Sequence, residues 1–408
     1  MPARHATAHR ARAPHHARRQ RERSVLRGIA LTLSAVLLFG ISSVAWLAQR
    51  LDSNIETIDI AGLLGNPPAA PADEPARDPE DPAAGRPLTI LVLGSDQRDG
   101  ENAAIGGEDP SMASDTTILV HVSADRSRVE LVSIPRDSLV DIPSCLASNG
   151  TTTQPAKRQM FNKAFSVGWN AGGDLASAAA CTGRTVQQST GLTIDHFVVV
   201  DFTGFMSMVD AIGGVDICIP QAMSDTYIPL NLQPGQQVLD GYQALQFARS
   251  RHNNVGNGGD LDRIGNQQRL IAAMAGQVLS DEVLLNPVKL TTFLSAATDS
   301  LTVDEGLNLA NLTGLGYSLR TVRPANITLM TIPVAAAPED PNRLVWTSAA
   351  APVWADMAAD QPIVAQPEPP QAPVTDPSRP AATEPAPAET KQAGREPFTP
   401  ADVTAVCT

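Results

Sequence analysis

An uncharged apolar segment near the N-terminus constrains this chain more than any other feature of its sequence. It extends from Gly28 to Ala48 and contains no charged residue. As a helix rising about 1.5 Å per residue, the segment is roughly 30 Å long, which matches the hydrocarbon core of a bilayer. The sequence therefore predicts a transmembrane helix over residues 28–48.

The residues before this segment are strongly basic. Residues 1–27 contain eight arginines and one glutamate, whereas the whole chain has a formal net charge of −13. Because basic flanks stay on the cytoplasmic side of a membrane, we expect a cytoplasmic tail over 1–27 and an extracellular remainder in a single-pass protein. A cleaved signal peptide is the alternative, but Trp46 and Arg50 are typical of the interfacial end of a retained anchor. The acidic outer part lacks the basic stripe of a nucleic-acid binder, so no nucleic-acid partner is expected.

The 33 prolines divide the rest of the chain. Residues 49–87 form a Pro-rich linker, and residues 359–408 form a Pro/Ala-rich tail, ending in Cys407, that we expect to be disordered. Residues 88–358 mix strand and helix patterns and predict one catalytic domain, a three-layer α/β/α sandwich with a central mixed sheet. Strands are predicted at Leu88–Gly94, Thr116–Val122, Val129–Ile134, His196–Phe202, Val215–Ile219 and Asn326–Pro333. Helices are predicted at Thr203–Ile212, Gly241–Phe247, Asp262–Ser280, Pro287–Ala297 and Leu307–Leu319.

All four cysteines follow the apolar segment, on the side of the membrane where disulfides form. Four cysteines allow three pairings. Cys145 and Cys181 flank one loop-rich insertion, and a thiol at Cys407 has no use unless the tail is tied back. We therefore expect the disulfides Cys145–Cys181 and Cys218–Cys407. Their spacings match no zinc site.

Charged residues stand at the ends of three predicted strands. Asp96 follows the first strand, Asp115 directly precedes the second, and Arg136 follows the third. If these strands are neighbours, the three side chains meet at one edge of the sheet, where ligands of α/β proteins bind. Aspartates at strand ends are suitable ligands for Mg²⁺, although aspartates are also common in turns for local hydrogen bonding.

A second group of polar residues lies near residue 260. Arg249 and Arg251 are two positions apart, so in extended chain both could reach one anion. Asp260, Arg263 and Gln267 share one face of a predicted helix, and farther along that face becomes apolar. A positive charge near a helix N-terminus is unfavourable unless an anion lies there. Polar groups at the mouth of an apolar interior predict a hydrophobic lipid pocket that binds a lipid-linked phosphate.

These residues lie in a series of longer motifs: LGSDQR, SDTTILVHV, VSIPRDS, MFNKAF, TGLTIDHFVVVDFTGFMSMVDAIGGVDICIP and LDGYQALQFARSRH with GGDLDRIGNQQ. In this order, over about residues 86–280, they resemble the successive blocks of the LytR-CpsA-Psr family. The resemblance implies a cell-wall enzyme outside the membrane, a phosphotransferase that moves a glycopolymer from a polyprenyl-pyrophosphate carrier onto peptidoglycan. Two departures from the family pattern stand out. Ala113 and Ser114 replace the arginine often found before SDT, and Met160 replaces the usual lysine, with Lys163 three positions later.

The resemblance also implies roles for single residues. It assigns Mg²⁺ or Mn²⁺ to Asp96 and Asp115. It assigns catalysis to Arg136, Arg249, Arg251 and Asp260. The sugar hydroxyl also needs a proton acceptor, for which Asp96 and Asp260 are the candidates, and Asp260 is favoured because a metal-bound carboxylate is a poor base. It assigns substrate binding to Arg98, Lys163, Arg263 and Gln267. Two alternatives stay open: a hydrolase that cleaves polyprenyl pyrophosphate with water, and a membrane-bound regulator without enzymatic activity.

Overall fold

The apolar N-terminal segment forms a single helix in the computed structural model, which describes residues 15–65, 81, 83–95, 112–256, 258–364 and 391–405. The chain divides into two compact units, Met1–Ser53 and Asn54–Thr408. Helix α1 (His15–Asn54) makes up the described part of the first unit. Within it, Arg27–Asn54 has a mean hydropathy of 2.0 and, among the residues described, is the one helix long and apolar enough to cross a membrane.

The second unit is built on a mixed sheet of seven strands in the order β1-β12-β7-β2-β3-β4-β13. These strands are β1 (Glu56–Thr57), β2 (Leu88–Ser95), β3 (Ser114–Val122), β4 (Val129–Ser133), β7 (His196–Val200), β12 (Leu301–Val303) and β13 (Ile327–Thr331). Strand β2 is antiparallel to β3 and parallel to β7, and β3 is antiparallel to β4. The mixed α/β sheet predicted from the sequence is therefore confirmed.

The remaining strands form four two-stranded pairs. These are β5 (Leu139–Ile142) with β6 (Ala156–Met160), β8 (Val215–Ile219) with β11 (Gly235–Leu239), β9 (Met223–Ser224) with β10 (Asn231–Leu232), and β14 (Val334–Ala337) with β15 (Asp340–Trp346). The helices of this unit are α2 (Ala61–Leu64), α3 (Lys163–Gly172), α4 (Leu175–Thr190), α5 (Phe202–Ala211), α6 (Gly241–Arg249), α7 (Asp260–Val278), α8 (Asp281–Leu284), α9 (Pro287–Ser300), α10 (Leu309–Leu319), α11 (Ala350–Ala358) and α12 (Pro400–Ala405).

Helices cover both faces of the large sheet, which explains why its strands are apolar almost without interruption. On β2, Leu91 and Leu93 pack in one core cluster with residues of α3, α4 and α11. The alternate residues Ile90 and Val92 pack in a second cluster with Leu315 of α10. Successive side chains of a strand point to opposite faces, so these two clusters are the two interfaces of a three-layer sandwich.

All six predicted strands are present, with bounds that differ by at most two residues. The strand predicted to reach Phe202 ends at Val200, because Asp201 caps helix α5, which begins at Phe202. The Asp201 side chain accepts a hydrogen bond from the backbone N–H of Gly204 at 2.7 Å, the usual way in which an aspartate caps a helix. Helix α6 begins with a reciprocal capping box between Asp240 and Gln243.

The C-terminal segment (residues 391–405) differs from the predicted disordered tail. It packs against α7 and the β13 edge of the sheet, and Phe398 is buried there. Phe398 and Leu329 exchange two backbone hydrogen bonds of 2.7 and 2.8 Å. The sequence prediction rested on average composition, which hides the apolar side chains that this segment buries. The other predicted domain boundaries stay predictions.

One predicted disulfide is confirmed. Cys145, after β5, is bonded to Cys181 of α4 with an S–S distance of 2.04 Å. Cys218 is also disulfide-bonded. Its predicted partner, Cys407, lies outside the described residues.

Candidate active site

Three strand ends meet at one edge of the large sheet. Ser95, the last residue of β2, pairs with Ser114, the first residue of β3. Strand β4 runs antiparallel to β3, with Ser133 opposite Ile118, so the end of β4 lies at the same edge. The sheet thus brings Asp115 and Arg136 together, as the charged strand ends predict.

Asp115 forms ion pairs with two arginines from different parts of the chain. Its Oδ1 atom lies 2.5 Å from Nη1 of Arg136, and its Oδ2 atom lies 3.6 Å from Nη1 of Arg263. Arg263 also donates from Nη2 to the backbone carbonyl oxygen of Asp115 at 2.6 Å. The side chain of Asp115 keeps about 35% of its surface exposed, so this end of the cluster is open to a ligand.

Asp260 holds the two arginines in place from the other side. It is the first residue of α7, and its side chain is only 2% exposed. Its Oδ1 atom lies 2.7 Å from Nη2 of Arg263 and 3.6 Å from Nε of Arg136, and its Oδ2 atom accepts the backbone N–H of Arg136 at 3.1 Å. The unfavourable position of Arg263 near a helix N-terminus is therefore offset by two carboxylates, those of Asp115 and Asp260.

Gln267, one further turn along α7, fixes the helix to the sheet. Its amide Nε2 donates to Oγ1 of Thr116 at 3.0 Å and to the backbone carbonyl of Ala248 at 3.3 Å. Asp260, Arg263 and Gln267 thus share one helix face, as their spacing predicts, and that face meets the start of β3.

Asp137 extends the cluster and was not among the predicted site residues. Its carboxylate lies 4.0 Å from Nη2 of Arg251 and 3.5 Å from Nη1 of Arg343. Its position directly after Arg136 was a usable signal. Arg343 lies on β15, in a hairpin far from Asp137 in the sequence, so no local sequence pattern indicates that it belongs to the site.

Burial and charge shift two pKa values in this cluster. Burial disfavours the charged form of Arg136, but the carboxylates of Asp115 and Asp260 outweigh it and raise the pKa of the guanidinium above its usual range. The pKa of Asp137 is also raised, because burial and the neighbouring negative charge of Asp260 outweigh the nearby arginines. Arg136 is therefore a permanent cation beside a carboxyl group that resists ionisation.

The two arginines of the R-x-R pair do not share one extended segment. Arg249 is the last residue of α6, and its guanidinium lies 4.6 Å from the centre of the Phe202 ring. Arg251 lies in the following loop and faces Asp137. Asp225 holds that loop, since it accepts the backbone N–H groups of Arg251 and His252 at 3.1 and 3.0 Å. Nothing in the sequence pointed to this role of Asp225.

The other predicted site residues lie elsewhere or outside the described part of the chain. Lys163, at the start of α3, is exposed and donates to Oε1 of Gln159 at 3.0 Å. Asp96 and Arg98 lie outside the described residues. Asp115 is therefore the described member of the predicted metal pair, and across the described ranges no three His, Cys, Asp or Glu side chains group as metal ligands. One accessible carboxylate still suits Mg²⁺, which is commonly held by one or two carboxylates, waters and substrate phosphates.

A cavity of about 350 Å³ opens at the same sheet edge. Its walls come from the ends of β2 and β7, the starts of β1 and β12, and helices α3, α4 and α9. It is lined by Glu56, Ser95, Trp169, Leu175, Val199, Asp201, Asp299, Ser300, Leu301 and Thr302. Because both polar and apolar residues line the cavity, it is less hydrophobic than the lipid pocket predicted from the sequence.

Sequence comparison places this arrangement in a known family. Residues 69–354 match the profile of the LytR_cpsA_psr family, which is well over half of the chain. The chain belongs to the LytR_cpsA_psr family. The membership predicted from the sequence motifs is confirmed.

Relatives within the family have names that refer to the cell wall. The cell wall biosynthesis protein LcpA of Corynebacterium glutamicum is 33% identical over 271 residues, 62% of this chain and 51% of that protein. The probable cell wall biosynthesis protein LcpB of the same organism is 31% identical over 333 residues, 80% of this chain and 70% of that protein. The polyisoprenyl-teichoic acid–peptidoglycan teichoic acid transferase TagU of Oceanobacillus iheyensis is 33% identical over 193 residues, 47% and 52% of the two chains. This LytR_cpsA_psr protein thus spans about half the length of LcpA and TagU.

Solved structures show the same fold. The LytR-Csp2A-Psr enzyme from Actinomyces oris superposes with a TM-score of 0.51 at 21% identity, covering 74% of this chain and 96% of that one. Protein gbs0355 from Streptococcus agalactiae superposes with a TM-score of 0.52 at 20% identity, covering 67% and 88%. At these identities the likeness describes the fold of the family.

Proposed function

We propose that this protein is a membrane-anchored phosphotransferase that moves a glycopolymer from a polyprenyl-pyrophosphate carrier onto peptidoglycan. One observation carries the proposal: Arg136 and Arg263 converge on the partly exposed carboxylate of Asp115 at the sheet edge. The printed names of LcpA, LcpB and TagU support a role in cell-wall assembly.

The cluster suits the departure of a lipid phosphate. Arg136, Arg251, Arg263 and Arg343 face Asp115, Asp137 and Asp260 at distances of 4.0 Å or less. Guanidinium groups bind phosphate oxygens through two parallel hydrogen bonds, and fixed cations stabilise charge that develops on a leaving group. An incoming pyrophosphate would take over the arginine contacts that Asp115 makes, since that carboxylate is the accessible one.

We propose that Asp96 and Asp115 hold a divalent ion, Mg²⁺ or Mn²⁺. When bound, such an ion supplies Lewis-acid neutralisation of the phosphate charge. Asp260 has a different task in this scheme. Its oxygens face Arg263 and the backbone of Arg136 in a buried setting, so it positions the two guanidinium groups and is poorly placed to take a proton from a sugar hydroxyl.

The proposal includes the side of the membrane on which the reaction takes place. The arginine-rich residues before the apolar helix support a cytoplasmic N-terminus and an extracellular catalytic domain. The Cys145–Cys181 disulfide supports an oxidising compartment for that unit.

Product analysis tests the function directly. The full-length protein in lipid nanodiscs is incubated with Mg²⁺, a polyprenyl-pyrophosphate saccharide and peptidoglycan fragments, and the products are identified by mass spectrometry. We expect a saccharide joined to peptidoglycan through a phosphodiester. Arg263→Ala should abolish this product, whereas Arg86→Ala, a surface arginine about half exposed beside Asp195, should not.

Other outcomes would replace the proposal. Free saccharide phosphate without transfer would identify a hydrolase. No turnover in the wild-type protein, together with bound polyprenyl pyrophosphate, would indicate a binding or regulatory protein.

A further inference from the structure

The cavity at the sheet edge adjoins the arginine cluster on one side and Arg249 on another. Its wall residue Ser95 pairs across β2 and β3 with Ser114, the residue before Asp115. Its wall residue Asp201 is followed in the chain by Phe202, whose ring contacts the guanidinium of Arg249. A molecule in the cavity would therefore lie beside Asp115, on which the arginines that we propose to bind the pyrophosphate converge.

The chemistry of the cavity wall differs from that of the cluster. Three carboxylate residues line it, Glu56, Asp201 and Asp299, and among the described residues of the wall there is no lysine or arginine. Trp169, Leu175 and Val199 supply an apolar and aromatic wall. Ser95, Ser300 and Thr302 add hydroxyl groups. Such a wall repels anions, and it offers many hydrogen-bond acceptors next to a flat aromatic surface.

Among the three parts of the proposed reaction, only one fits this wall. The pyrophosphate is an anion and would be repelled by the carboxylates. The polyprenyl chain would cover the exposed carboxylates of Glu56 and Asp299 with hydrocarbon, which is unfavourable because it removes them from water. The acceptor reacts through a neutral hydroxyl on a sugar ring, and sugar hydroxyls form strong hydrogen bonds to carboxylates.

We propose that this cavity binds the acceptor, with a sugar ring of the glycan against Trp169 and its hydroxyls on Glu56 and Asp299. The volume of about 350 Å³ lies at the small end of the usual range for ligand sites, about 300 to 1,000 Å³, and so takes the end of a glycan rather than a long polymer. This inference rests on the proposed function, because it assigns a place to the acceptor of that reaction.

Two residues of the wall are suitable for mutation. Asp299 and Glu56 are both exposed, and each accepts one side-chain hydrogen bond, from Ser295 at 3.4 Å and from Thr302 at 3.1 Å. Asp201 is unsuitable, because it caps α5 and its loss would disturb the fold. Glu305, an exposed carboxylate on the turn after β12, lies outside the cavity wall and serves as the matched control.

The first test measures binding alone. The full-length protein in nanodiscs is titrated with a soluble disaccharide released from peptidoglycan, without any donor, and binding is followed by saturation-transfer NMR and calorimetry. We expect Asp299→Asn and Glu56→Gln each to weaken binding about tenfold, the effect of losing a hydrogen bond to a charged group. Glu305→Gln should bind like the wild type. Trp169→Leu, if folded by circular dichroism, should also weaken binding.

The second test uses turnover and separates the two proposals. In the transfer assay, Asp299→Asn should raise the KM for the acceptor and leave the KM for the donor unchanged. If the wild type transfers nothing, the proposed function fails, while the binding titration still decides the cavity. Unchanged disaccharide binding in both carboxylate variants, or displacement of the disaccharide by polyprenyl phosphate alone, would overturn the assignment.

Discussion

The backbone N–H of Arg136 donates to the buried carboxylate of Asp260 across 124 positions of the sequence, at 3.1 Å. This contact joins the end of β4 to the first residue of α7. Arg136 and Arg263 both depend on it, because the other oxygen of the same carboxylate faces the two guanidinium groups. The geometry of the cluster is therefore set by a residue that a substrate does not need to touch.

Asp260→Asn removes the charge and keeps the shape. Because Arg263 is then buried with less compensation, we expect the free energy of unfolding to fall by about 3 kcal/mol. Denaturant unfolding of the detergent-solubilised full chain, followed by circular dichroism, measures the change. Asp216→Asn, an exposed aspartate on β8, should change stability by less than about 0.5 kcal/mol. Equal midpoints for the wild type and Asp260→Asn would contradict this role of Asp260.

Arg263→Lys keeps the positive charge and loses the planar fork. Lysine cannot reach Asp115 and Asp260 together with matched geometry, so we expect kcat in the transfer assay to drop about 100-fold. Arg86→Lys provides the control, since Arg86 pairs with Asp195 at the surface. A lysine variant with wild-type kcat would show that charge alone is enough at this position.

The pKa of Asp137 is raised in the folded protein, chiefly by burial and then by Asp260. Below pH of about 4, both the folded and the unfolded chain hold this proton, and the group has no effect on stability. Between about pH 4 and the raised pKa, the unfolded chain releases this proton while the folded state keeps it, so stability falls as the pH rises, and above the raised pKa the loss stays constant. Asp137→Asn has no ionisable group at this position, so its stability does not fall for this reason. The difference in free energy of unfolding, variant minus wild type, should grow as the pH is raised from about 4, and a difference that does not change with pH would contradict the prediction.

Replacement by alanine at two glycines of α7 should have opposite effects on the stability of the protein. A Cβ atom at Gly265 would lie 2.5 Å from the backbone oxygen of Ala393, whereas a Cβ at Gly276 would meet nothing closer than 3.9 Å. Gly265→Ala should release the C-terminal segment and destabilise the protein by about 1 to 3 kcal/mol. Gly276→Ala should stabilise it by up to about 1 kcal/mol, since alanine favours the helix. Hydrogen exchange of residues 391–405 should accelerate in the first variant only.

Loss of the Cys145–Cys181 bond should destabilise the protein through the unfolded chain. The bond closes a loop with a sequence separation of 36, and the loop-entropy estimate for that length is about 3 to 4 kcal/mol. Cys145→Ala, Cys181→Ala and the double variant should lose similar amounts in thermal unfolding, because each breaks the same bond. A double variant much less stable than either single variant would indicate packing losses instead.

Sequence patterns predicted the part of the site that depends on neighbouring strands. Buried strands show continuous apolar runs, and charged residues at their ends mark the shared edge, which is how Asp115 and Arg136 were found. The helical spacing of Asp260, Arg263 and Gln267 was equally informative, because a regular helix converts spacing into direction.

Contacts between distant segments could not be predicted in this way. Arg343 reaches Asp137 from a hairpin about 200 positions later, and no local pattern records that approach. Helix α6 continues two residues beyond the predicted helix, so Arg249 is its last residue, and the guanidinium of Arg249 contacts the Phe202 ring. Two buried apolar residues, Phe398 and Val403, are too small a number to predict a folded segment from the sequence. Their burial depends on a surface formed by α7 and β13.

Strand β13 is an outer strand of the large sheet, and on its free side Leu329 bonds to Phe398 of the C-terminal segment. A shortened protein that stops at residue 354, where the family match ends, would leave this side bare. An uncovered outer strand offers its backbone groups to any other strand, including the same strand of a second molecule. The C-terminal segment thus covers a strand edge that could otherwise pair with a second molecule. Recombinant forms designed from the family boundary alone should therefore be prone to aggregate.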